Sequence, residues 1–216
     1  MRCHKSTLCA LTLGVLTSLP VSAQADNPVR NAELSARLFE AAVDLQDPFL
    51  AVAAARLRKS VLARRVDIEP QKDGPAPEDP RYDRLMSWQD MIATALQLAP
   101  NDPTIAKLAE DVKFAGTKGV TSGEVYSITT IRAGGTDTYP PMTYTGGEYA
   151  DVYVEGAKSS ADLNVFVKDA QGRLVCSDTD ISAIAYCGWR PSKSEGFTVV
   201  VTNKGNVPTS YSLITN

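Results

Sequence analysis

Histidine is almost absent from this chain. The one copy among 216 residues is His4, and it sits in a leader that export would remove. Without an imidazole, a Ser-His-Asp or Cys-His centre is excluded, and so is any histidine-ligated zinc or iron. No G-x-S-x-G elbow and no phosphate-binding P-loop occurs. Catalysis would need a histidine-free centre, such as a Ser–Lys dyad or paired carboxylates. Glu148, Asp151 and Glu155 share one strand region. Carboxylates on the exposed face of a strand usually serve solubility, so a non-catalytic protein is expected. Basic charge is not in excess either. Lys and Arg number 22 against 25 Asp and Glu, a formal net charge of −3, which argues against nucleic acid as a partner. Past the leader, no apolar run is long enough to cross a bilayer.

The leader is Met1 to Ala25. Arg2 and Lys5 form a basic start, and Leu8 to Leu19 is an apolar run too short for a membrane span. Ala23-Gln24-Ala25 fits a cleavage site, and Val21-Ser22-Ala23 is a second candidate. A periplasmic or secreted protein is expected, not membrane-spanning after cleavage; an uncleaved anchor is the alternative. Cleavage removes Cys3, Cys9 and two cations, making the charge more negative. Cys176 and Cys187 remain. An even pair in an oxidising compartment reads as one disulfide, with two free thiols as the alternative.

From Asn27 to about Ala115 the apolar spacing is helical. Asn27-Pro28, Asp47-Pro48, Asp79-Pro80 and Asp102-Pro103 each read as a helix start. The Asx side chain accepts from an orphan N–H, and proline loses nothing where its missing donor had no partner. Four faces follow: Leu34, Leu38, Ala41, Ala42 and Leu45; Leu50, Ala53, Ala54, Leu57 and Val61; Leu85, Trp88, Ile92, Ala95, Leu96 and Ala99; Ile105, Leu108 and Val112. Short connections make two αα-hairpins, separated by a proline-rich surface linker, Gln71 to Glu78. Arg56, Arg58, Lys59, Arg64 and Arg65 end the second helix, as a basic docking patch or as a solvated face that suits a helix C-terminus.

Gly116, Gly119 and Gly123 interrupt the helical pattern, and β-branched residues dominate after Glu124. Strands are expected near Val125–Ile131, Tyr149–Glu155, Leu163–Lys168, Leu174–Ser177, Ile184–Cys187, Phe197–Thr202 and Tyr211–Ile214. Ala150, Val152 and Val154 should face one way, and Tyr149, Asp151, Tyr153 and Glu155 the other. Asp169-Ala170-Gln171-Gly172 reads as a hairpin turn. The expected fold is α+β with segregated parts: a signal peptide over 1–25, about four helices over 26–118, and an antiparallel β-sandwich of jelly-roll type over 119–216.

Several motifs of the second half run in a familiar order. Gly147-Glu148-Tyr149 leads a strand, followed by Ala161-Asp162-Leu163-Asn164-Val165-Phe166. Then come Asp169-Ala170-Gln171-Gly172, Cys176-Ser177-Asp178, Gly196 to Asn203, and Tyr211-Ser212-Leu213. In these pieces Glu148 to Asn216 resembles the bacterial pre-peptidase C-terminal domain. The resemblance implies a jelly-roll-like sandwich. It also implies a non-catalytic appendage associated with substrate or matrix binding, or with secretion. Met91 to Asp102 resembles the closing half of a tetratricopeptide repeat, without a second copy at the expected period.

Asp162, Asp178 and Asp180 are candidate calcium ligands, with Asn164 as a neutral oxygen donor; some relatives in the resembled family bind calcium. The competing role is turn chemistry, since Asp and Asn bond their own backbone. No other cofactor is expected. Tyr139, Tyr144, Tyr149, Tyr153, Tyr186 and Trp189 could form a stacking platform, or fill cross-strand pairs. The expected role is binding a protein or polysaccharide ligand of the cell envelope through the sandwich, with the helices as a scaffold. The alternatives are an assembly factor acting through the helical hairpins and a carboxylate hydrolase.

Overall fold

The computed structural model describes residues 27–61, 64–75, 85–115 and 125–216. The leader, the Asp79-Pro80 pair and the glycine-rich stretch holding the expected boundary near residue 118 lie outside those residues. Among the described residues the helices are α1 (Pro28–Leu45), α2 (Pro48–Ser60), α3 (Trp88–Leu98) and α4 (Pro103–Phe114). Three of the expected Asx-Pro caps are present. Asn27 accepts from the Arg30 amide, Asp47 from Phe49 and Leu50, and Asp102 from Thr104 and Ile105. Helix α3 instead starts at Ser87, which exchanges bonds with Asp90 in a capping box. The helices close on small residues. Ala42, Ala51, Ala54, Ala55 and Ala95 are all completely buried, which lets the helix axes approach.

The strands are β1 (Arg64–Arg65), β2 (Gln71–Lys72), β3 (Val125–Ile131), β4 (Thr136–Thr138), β5 (Met142–Tyr144), β6 (Ala150–Gly156), β7 (Leu163–Lys168), β8 (Leu174–Asp178), β9 (Ile184–Trp189), β10 (Glu195–Asn203) and β11 (Thr209–Thr215). They make two facing sheets, β1-β3-β11-β6-β9 and β2-β4-β10-β7-β8, with β5 also on β10. All pairings are antiparallel except β1 with β3. The inner faces interdigitate through Val152, Val154 and Leu213 from one sheet and Leu163, Val165, Val199 and Val201 from the other. The fold is thus α+β, with helices in the first part and a β-sandwich in the second.

Both open sides of the sandwich are closed. On one side the tract after α2, expected to be a surface linker from Gln71, adds β1 to the first sheet and β2 to the second. Between those strands Ile68 packs on the sandwich core. On the other side Cys176 of β8 and Cys187 of β9 form a disulfide with a Cα–Cα distance of 5.8 Å, bonding one sheet to the other. The turn from Asp169 to Gly172 forms as expected, with Gly172 at φ +76°, a conformation that costs glycine little.

One expectation fails in an instructive way. Asp151, Tyr153 and Glu155 do not face solvent: they are 0%, 0% and 6% exposed. Helix α1 lies across the outer face of the first sheet, packing Val29, Ala32 and Ala36 on Tyr153, Ile184 and Ile214. The alternation in β6 is real, but both of its faces are interior.

Candidate functional site

The covered face of β6 determines how the helices sit. Asp151 lies under the N-terminus of α1, where partial positive charge favours a carboxylate. Its Oδ2 accepts from Asn27 Nδ2 at 2.7 Å and from the Tyr186 hydroxyl at 3.1 Å. Burial, then the neighbouring Tyr149 hydroxyl and the Asp151 charge, push the Tyr186 phenol well up, so it stays a proton donor. Two turns along, Arg58 of α2 grips Glu155 with both ends of its guanidinium, at 2.5 and 2.9 Å. Arg58 Nε also donates to Ser35 Oγ at 2.7 Å, and Ser35 to the Ala32 carbonyl at 2.8 Å. Burial works against the Arg58 cation, but Glu155 more than offsets it and its pKa is raised.

Beside this anchor a cleft of about 490 Å³ opens between α1, the start of α3 and the near ends of β6 and β9. That size lies in the range of small-ligand and peptide-anchor sites. Its walls are Phe39, Val43, Met86, Met91 and Ile184. Its charged lining is acidic: Glu40 and Asp44 from α1, and Glu155 already held by Arg58. Among the described residues, no Lys or Arg lines it and no salt bridge reaches Glu40 or Asp44. Burial lifts the Glu40 carboxyl above its ordinary range; Arg37 opposes this, and Glu155 and Asp44 add to it.

The candidates from sequence lie elsewhere. Asp178 spends both oxygens on backbone amides, Oδ1 on Asp180 at 3.2 Å and Oδ2 on Tyr186 at 2.8 Å. Asp162 precedes β7, and its carbonyl accepts from the Lys204 amide at 2.7 Å. Among the described residues, no three acidic, cysteine or histidine side chains converge as metal ligands. Asp162, Asp178 and Asp180 are therefore not brought together around one point. The aromatic platform does not form. Tyr139, Tyr144, Tyr153 and Trp189 are buried, and inside the sandwich Tyr144 packs edge-on against Trp189 and Phe197, which are tilted against each other. Tyr149 alone of the six is exposed, its hydroxyl 3.3 Å from that of Tyr186.

The basic patch also disperses. Helix α2 ends at Ser60, and Arg64 and Arg65 form β1. Arg58 turns inward, while Lys59 caps α4 through the carbonyls of Val112 and Lys113 and lies 4.7 Å over Trp88. The cleft itself was missed from sequence. Its one local signal was Glu40 and Asp44, two like charges four residues apart on a helix that also carries an apolar stripe.

No family model and no curated protein matches the chain. Among solved structures, partial similarity extends to CsCBM6-3 from Clostridium stercorarium in complex with cellobiose. The TM-score is 0.23 at 14% identity, over 38% of this chain and 67% of that one. A second is the CBM22-1–GH10 portion of an endo-1,4-beta-D-xylanase from Clostridium thermocellum, complexed with xylohexaose. Its TM-score is 0.22 at 10% identity, over 41% of this chain and 24% of that one, so the chain spans about a quarter of the xylanase structure. Likeness at this level is partial and identifies no ligand for this chain.

Proposed function

We propose that this chain is a non-catalytic, exported binding protein that takes its ligand in the cleft between α1 and the first sheet. The observation that carries this is the cleft's construction. Apolar side chains from α1, α3 and β9 line it, next to Glu40 and Asp44, for which no described cation supplies a partner. Export is supported by the leader motif and by the Cys176–Cys187 bond. The resemblance to the pre-peptidase C-terminal family supports an appendage without chemistry of its own. Of the ligand classes open from sequence, the cleft favours a protein segment over a polysaccharide. A sugar wants a flat exposed ring, and here the one aromatic of the wall, Phe39, is only 9% exposed beside Val43, Ile184 and two methionines, a surface that adapts to side chains. An assembly role would use the same helical surface.

Nile red, an uncharged solvatochromic dye, tests the cleft directly. Wild-type protein should bind it saturably with blue-shifted emission, and Val43→Arg should weaken binding at least about tenfold without changing the far-UV spectrum. Equal binding by the variant would exclude the cleft as the ligand site.

A further inference from the structure

We infer that the ligand of this cleft is a cationic amphipathic polypeptide segment, presenting one apolar stripe to the wall and Lys or Arg to Glu40 and Asp44. This deepens the cleft reading above and rests on it. Three observations converge.

The first is charge. Glu40 and Asp44 stand one turn apart on α1, so both project to one side. Like charges at this spacing destabilise a helix, and Arg37 offsets Glu40 only in part, without an ion pair to it. Arg37, the nearest helix cation, is taken by Glu33 in an ion pair on the same helix. Glu155 is neutralised by Arg58. Among the described residues, the cleft therefore presents two carboxylates without an ion-pair partner. Burial raises the Glu40 carboxyl and Arg37 opposes it, while Glu155 and Asp44 add to the rise.

The second is the wall. Phe39 and Val43 sit four apart on α1 and face Met86, Met91 and Ile184. Methionine pairs suit a groove that must fit side chains of differing shape. The third is extent. From Ala36 to Asp44 the helix wall runs about 12 Å at 1.5 Å per residue. Two turns of a bound helix, with anchors at i, i+4 and i+7, would match it. Apolar fit with acidic edges selects a basic, amphipathic segment.

The test uses three fluorescein-labelled helical peptides on the full mature chain. One carries Leu at helical spacing with Lys between, the second has Gln for every Lys, and the third has Glu. Anisotropy is read at low ionic strength and again at about 0.15 M salt. The Leu/Lys peptide should bind about tenfold tighter than Leu/Gln, with Leu/Glu weakest and the advantage shrinking in salt. The double variant Glu40→Gln/Asp44→Asn should erase the preference while leaving the far-UV spectrum unchanged. Equal affinity for Leu/Lys and Leu/Gln, or a preference that survives the double variant, overturns the inference and leaves the cleft reading standing. Peptide and dye binding both untouched by Val43→Arg would overturn the cleft reading itself.

Discussion

Arg58 and Glu155, 97 residues apart in sequence, form a two-pronged ion pair between the second helix and strand β6 of the first sheet. The pair is buried, with 13% and 7% of the two side chains exposed. Its geometry fixes how the helical layer sits, and so holds open the wall of the cleft.

Removing one member should therefore cost more than removing both. Glu155→Ala strands a buried guanidinium and should lower unfolding free energy by about 3–5 kcal/mol. Arg58→Met with Glu155→Leu should lose far less, because neither charge is left unpaired. Urea unfolding of the three proteins decides this, and a Glu155→Ala loss under about 1 kcal/mol would mean the pair does not hold the layers.

The disulfide closes a short loop, with 11 residues separating its cysteines. Chain-entropy reasoning gives it about 3 kcal/mol of stabilisation. Cys176→Ser/Cys187→Ser, or wild type in reductant, should unfold at correspondingly lower denaturant. A midpoint indifferent to reductant would contradict the bond between the sheets.

Two buried carboxylates should give opposite acid dependences. For Asp169, burial raises the carboxyl, but the amides of Arg173 and Gln171 and the Arg173 guanidinium outweigh it and hold it below the ordinary range. Its stabilisation is present above the unfolded value near about 3.9 and is lost as pH falls through the folded value. For Asp137, burial raises the carboxyl against the pull of Lys72 and Tyr211. Its contribution is full below about 3.9 and is lost as pH rises through the folded value. Thermal midpoints between about pH 2 and pH 6 should therefore fall less on acidification in Asp169→Asn than in wild type, and rise more steeply with pH in Asp137→Asn. Parallel curves for all three proteins would refute both assignments.

The helix contacts allow a paired test of packing. Ala54 has no exposed surface, while its neighbour Ala53 faces outward. Ala54→Leu should destabilise by about 1–3 kcal/mol through overpacking, and Ala53→Leu should stay within about 0.5 kcal/mol. Similar losses at both positions would mean the hairpin is not close-packed there.

Much of this was legible in sequence because it is local. An Asx side chain and the proline after it specify a helix start within four residues, and Asn27, Asp47 and Asp102 all do so. Alternation shows the long strands in the same way. What stayed hidden depends on distant partners. Asp151 and Glu155 look like solvent-facing carboxylates until Asn27 and Arg58 arrive to satisfy them. Strands β1 and β2 hold two residues each, too few for any period. Ser87 and Asp90 cap α3, but the Asp79-Pro80 pair drew the expected start earlier. The cleft draws on four separate stretches of chain, and none of them carries its outline alone.

The tract that puts β1 on one sheet and β2 on the other has a consequence for the order of events as the chain is made. Lys72 reaches Asp137, 65 residues later, and Arg64 aligns with Val125. Both short strands leave the ribosome before either partner exists. The early helices can coil and pair at once, yet this stretch must wait, unpaired, for β3 and β4. Ile68 settles between the sheets only when their strands are in place, so final consolidation belongs to the last part synthesised, and the slow step is a long-range closure rather than helix formation.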